Sequence, residues 1–166
     1  NSQMKSANRK LLALYDIILK NEKTDSDYWY FVGADEFINS FAALDEHDIR
    51  ELAADLPNWT DDQKWILGDC LVYGGVRQDG YQDSPSFVHQ SYLLTFLFSQ
   101  TDDEDLKSTI FESADLIFAG QPKPYDLLMP IKIWADDLLE NPQQSFYKPN
   151  SVHYKLIEAA IEKAIR

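Results

Sequence analysis

Apolar residues recur along this chain at steps of three and four, the spacing that places them on one side of an α-helix. Between Arg9 and Lys20 they fall at 11, 12, 14, 15, 18 and 19, and further on Phe37, Ile38, Phe41 and Leu44 repeat the pattern within 34–44. Asp45 predicts the N-cap of a helix through Ile49, Leu52, Ala53 and Leu56, closed by Pro57. Thr60-Asp61-Asp62-Gln63 is a capping box, in which the threonine oxygen takes an amide of the first turn and Gln63 reaches back to the amide of Thr60. The helix it starts carries Trp65, Ile66, Cys70 and Tyr73 on its apolar face and is expected to stop at Gly74-Gly75. Ser84-Pro85 opens the next helix, cap followed by proline, and its body from Phe87 to Phe98 is apolar on most sides, which predicts the most buried helix of the chain. A second box, Thr101-Asp102-Asp103-Glu104, predicts a helix through Leu106, Ile110, Ala114 and Ile117 that Gly120 and Pro122 end. A further helix over 124–139 should kink at Pro130, and Ser151 begins the last, with Leu156, Ile157, Ala160 and Ile161 on one side.

No segment joins strand alternation to hairpin turns, so the fold class is all-α: about seven or eight antiparallel helices, as an irregular bundle or a short HEAT-like stack. The two boxes lie 41 residues apart, and stacked helix pairs of the HEAT kind show a period near ~40. The 166 residues, 45% of them hydrophobic, make one domain over 4–166. Asn1-Ser2-Gln3 ahead of Met4 reads as a cloning remnant. No stretch approaches the ~18 apolar residues of a membrane span. A lone cysteine, Cys70, excludes an internal disulfide and makes a reducing cytoplasm the expected location.

Charge changes the picture more than composition does. The chain holds 28 Asp and Glu against 15 Lys and Arg, a net charge of −13. Residues 1–23 are net +3 and 123–166 are neutral, so 24–122 carry −16, densest at 45–62 and 102–105. If neighbouring helices lie in layers, the two Asp-Asp boxes bring both acidic helix starts to one edge. Like charges held close oppose folding, and a cationic partner docking there would account for their retention. Helix N-termini also favour Asp for reasons of their own. Direct nucleic-acid binding is disfavoured, because there is no basic footprint.

The candidate partner-binding residues follow from charge and exposed aromatics. They are Asp25, Asp27, Tyr28, Trp29 and Tyr30 in an acidic–aromatic run; Asp45, Glu46 and Asp48; Trp59, Asp61 and Asp62 around the first box; Arg77 and Tyr81 in a glycine-rich stretch; and Asp102, Asp103 and Glu104 at the second. That glycine-rich stretch lacks the lysine and hydroxyl residue of a phosphate-cradling loop. No metal site is expected: His47, His89 and His153 fall on separate helices, and side chains at 46, 47 and 48 point about 100° apart on a helix. Cys70 lies on an apolar face, where a thiol acts as a small hydrophobe. No catalytic signature stands out, no cofactor is implied, and the expectation is a non-enzymatic protein.

In general character the chain resembles the helical, acidic immunity proteins of bacterial toxin–immunity systems, the contact-dependent and polymorphic toxin systems among them. The residues behind the likeness are Asp25 through Phe31, Asp45 through Asp48, Thr60 through Trp65 and Thr101 through Asp105. The resemblance implies an inhibitor that binds and blocks a cognate basic toxin, often a nuclease. The alternative expectation is a HEAT-like scaffold or adaptor that grips a peptide or helix in a groove.

Overall fold

The computed structural model describes residues 3–23, 34–77, 85–120 and 124–165. Among them are nine α-helices and one 3-10 turn, with no strand: α1 (Arg9–Glu22), α2 (Ala34–Ala42), α3 (Glu46–Asp55), the turn Leu56–Asn58, α4 (Asp61–Arg77), α5 (Pro85–Phe98), α6 (Glu104–Phe111), α7 (Ala114–Ala119), α8 (Tyr125–Glu140) and α9 (Ser151–Ala164). The protein is all-α, as its periodicity predicts. No described helix is long and apolar enough to cross a membrane.

Local chemistry sets most of the starts. Asn8 caps α1, its side-chain oxygen accepting the amide of Lys10 at 3.0 Å, and Leu11, Leu14, Tyr15 and Ile18 form the inward stripe. Asp45 and Asp48 make a reciprocal capping box at α3. The Thr60–Gln63 box forms as expected, with each side chain bonded to the other's amide at 3.1 Å. Pro85 occupies the first position of α5, where a missing N–H costs nothing, and Asn150 caps α9.

Three boundaries differ from expectation. Gly74-Gly75 does not end α4, which continues to Arg77; glycine inside a helix costs about 1 kcal/mol but leaves the hydrogen-bond ladder complete. The second capping box is displaced. Thr101 Oγ1 takes the amide of Asp103, and Asp103 itself is the N-cap, accepting the amide of Leu106 at 2.9 Å. What reads as one helix from there is two, because Ser113 adopts a non-helical backbone and its hydroxyl donates back to the carbonyl of Thr109 at 3.0 Å.

The strongest packing runs between helices one to three places apart in chain order, and α5 is the shared element, touching α3, α4, α6, α7 and α8. Leu93, Leu94, Leu97 and Phe98 of α5 are buried, together with the polar Gln90, Ser91 and Thr95. Those three find backbone acceptors: Leu71 O for Gln90, Leu116 O for Ser91 and Ser91 O for Thr95. Gly68 permits the close approach of α4 to its neighbours, since a Cβ there would sit 2.6 Å from Leu106 and 3.2 Å from Leu97. Leu106 lies in the first turn of α6, so α4 and α6 pack closely there.

Candidate partner-binding surface

The acids of α3 and those of α4 and α6 occupy different environments. Along α3 an extended N-terminal segment crosses the helix. Asp55, a buried residue, accepts the amides of Lys5 (3.0 Å) and Ser6 (3.1 Å), the side-chain amide of Asn58 (3.2 Å) and the indole N–H of Trp59 (3.0 Å). Glu51 accepts from the Ser6 hydroxyl at 2.8 Å and from Asn8 at 2.9 Å. Asp48 accepts the amide of Asp45 at 3.0 Å, the Asn8 side chain at 2.8 Å and the Lys10 ammonium at 3.2 Å. The Asp45 amide chiefly, with Asn8 and Lys10 behind it, holds the Asp48 carboxyl down at about 2; the bonds from Asn8 and Ser6 lower Glu51 as well. These carboxylates are consumed inside the fold.

Asp48 is therefore corrected as a partner-binding residue: it is 6% exposed and already ion-paired. Trp59 is corrected too. It is 3% exposed, its ring 4.9 Å from that of Tyr15 and its N–H spent on Asp55. Asp45 is exposed but serves as the cap, and the exposed Glu46 pairs with Arg50 one turn on.

The second region is different. Asp61 and Asp62 open α4, while Asp102, Asp103, Glu104 and Asp105 surround the opening of α6, and all six are exposed. The two openings meet, because the buried Lys64 spans from the first turn of α4 to the carbonyl of Gln100 at 3.0 Å. Lys64 faces that carbonyl, and none of the ion pairs among the described residues involves any of the six carboxylates. Trp65 lies on the outward side of α4 with Asp61 and Asp62, at 40% exposure. Its place on the apolar face, expected from sequence, is corrected: Gln63, Ile66, Leu67 and Cys70 turn inward instead. Asn21, Glu22, Asp62, Trp65 and Ile66 line a shallow depression beside it.

Helix α8 extends this edge. Trp134 donates its indole N–H to Glu104 at 3.0 Å and packs among Phe98, Phe111 and Tyr147. Between α8 and the α5–α6 turn runs an open groove of about 640 Å³, lined by Phe98, Thr101, Asp102, Lys107, Pro130, Ile133, Trp134 and Asp137 among others. Sequence reasoning assigned nothing to α8. The available signal was Ile133, which falls off the inward set of Leu128, Ile131, Ala135 and Leu138.

Asp45, His47 and Asp48 bring one ligand atom each within 4.8 Å of one another. Glu46, which sequence spacing groups with His47 and Asp48, is not part of this cluster; Asp48 joins it by folding back onto the Asp45 cap. Capping bonds, Asn8 and Lys10 engage those carboxylates, so capping accounts for the cluster. Cys70 is buried, and burial pushes its thiol well above the ordinary range. Asp25, Asp27, Tyr28, Trp29, Tyr30 and Tyr81 lie outside the described residues, as does the side chain of Arg77. No protein-family model matches the chain, and neither does any curated protein or solved structure.

Proposed function

We propose that this protein is a non-enzymatic inhibitor of the immunity type, acting in the bacterial cytoplasm, which neutralises a basic toxin by covering its cationic surface. A nuclease fits that description best, since its nucleic-acid groove must itself be cationic. The observation that carries the reading is the edge formed by the starts of α4 and α6: six exposed carboxylates without a cation among the described residues, flanked by the exposed Trp65. Such a surface speeds encounter with a cationic partner by electrostatic steering, and a partly exposed tryptophan supplies apolar area that slows dissociation.

The test is capture from native lysate, identification of the retained protein, and an assay of that protein's activity with and without the inhibitor. Asp61→Lys, Asp62→Lys and Asp102→Lys reverse the edge, while Asp103→Asn removes a charge and keeps the cap. The expected result is a basic protein that the wild type retains and silences and the variant releases. Equal capture by the variant, or a retained protein whose activity is untouched, overturns the reading.

A further inference from the structure

The groove along α8 suits a narrower purpose than general attraction. Its floor is apolar: Pro130 and Trp134 are half-buried, and Ile133 is 60% exposed, more than the other exposed apolar side chains of the helix, Tyr125 and Leu139. Its walls are acidic, Asp102 from the α5–α6 turn on one side and Asp137, one helical turn beyond Ile133, on the other. Asp137 accepts the Asn141 side chain at 3.1 Å but meets no cation among the described residues. The groove's own base, Lys107, sits with its ammonium 5.5 Å from the Phe98 ring centre. Glu104 stands at the rim, fixed by the Trp134 indole. An exposed isoleucine between two cation-free carboxylates is complementary to an apolar side chain flanked by positive ones.

We infer that this groove receives a short amphipathic, cationic segment of the partner, with an apolar side chain on Ile133 and Trp134 and a lysine or arginine at each of Asp102 and Asp137. The inference rests on the proposed docking of a basic protein and assigns the part of the surface that gives it selectivity. Charge alone attracts any basic chain; the apolar floor selects one that also carries a hydrophobic anchor.

Two synthetic peptides test it against the full isotope-labelled chain. One places leucines at three- and four-residue steps among lysines to form an amphipathic helix, and the other has every leucine replaced by serine at the same charge. Amide chemical shifts locate binding and titration gives Kd. The expected result is saturable shifts confined to 98–107 and 130–137, with the serine peptide about tenfold weaker and Ile133→Ser about fivefold weaker for the leucine peptide. Ile133 is exposed, so its replacement leaves the core untouched. Equal affinity of the two peptides, shifts spread across α3 as well, or no saturable shift overturns the groove. A peptide-free dimer abolished by Ile133→Ser also overturns it, because the occupant is then a second copy. Asp102 belongs to both the edge and the groove, so the two are separated by Asp61→Lys/Asp62→Lys, which alters the edge alone, and by Ile133→Ser, which alters the groove alone.

Discussion

On α3, Asp48, Glu51 and Asp55 turn toward the N-terminal segment, and backbone amides, Asn8, Ser6 and Lys10 occupy their oxygens. At the starts of α4 and α6, Asp61, Asp62, Asp102, Asp103, Glu104 and Asp105 face solvent, and the one lysine between them, Lys64, is bonded to a backbone carbonyl. The two regions are almost indistinguishable in composition. What separates them is a partner some 40 residues away in sequence: α3 has the 4–10 segment lying across it, whereas at the other edge Asp103 is engaged only as a cap and Glu104 only by the Trp134 indole, and Asp61, Asp62, Asp102 and Asp105 have no side-chain partner among the described residues. A count of acids cannot distinguish a carboxylate that holds the fold together from one left over for another molecule. Hydrogen-bond partners do.

That contrast yields a graded set of outcomes. Among the carboxylates the largest effect belongs to Asp55→Ala, which removes a buried acceptor of several N–H groups, including the Trp59 indole. Equilibrium denaturation should show a loss of about 2–4 kcal/mol, since charged hydrogen bonds and unsatisfied buried donors are both costly. Next comes pH. Asp48 has a folded pKa of about 2, below its ordinary 3.8; its contribution is therefore complete above pH ~4 and is lost as pH falls through 2. Denaturation midpoints between pH 2 and 5 should fall on acidification by the equivalent of about 1–2 kcal/mol, and Asp48→Asn should flatten that part of the curve. The smallest effect belongs to the other edge. Asp61→Asn, Asp62→Asn and Asp102→Asn together should shift stability by no more than about 0.5 kcal/mol, because relief of repulsion offsets a weaker helix-dipole interaction. A loss near that of Asp55→Ala would mean these carboxylates are structural too.

Much of the fold was legible because helix starts and inward stripes are local. The Asp45 cap, the Thr60–Gln63 box, the Pro85 start and the stripe of α1 each need only a few consecutive residues. The failures are non-local or ambiguous at short range. Thr101 and Asp103 can each cap a helix, and the structure uses them in series. Trp59 and Trp65 bracket one helix start, and α4 is apolar on too much of its circumference for spacing to say which tryptophan is buried. Packing against Tyr15 decides for Trp59, and Tyr15 lies 44 residues earlier. The clasp on α3 joins segments equally far apart. The groove joins a turn to α8 about 30 residues later, so neither wall announces it alone.

The exposed tryptophan sharpens the contrast further. Trp65→Ala should leave stability within about 1 kcal/mol and raise the dissociation rate of the captured partner several-fold, whereas Trp59→Ala should cost about 3–5 kcal/mol of folding energy.

The most direct test of the central claim, that the α4/α6 edge is the surface on which a cationic protein lands, is the association rate with the captured partner across a range of salt concentrations. Wild-type protein should associate more slowly as salt rises. Asp61→Asn/Asp62→Asn/Asp102→Asn should lose most of that dependence, and Glu46→Gln on α3 should keep it. A salt dependence unchanged by the triple variant would contradict the account.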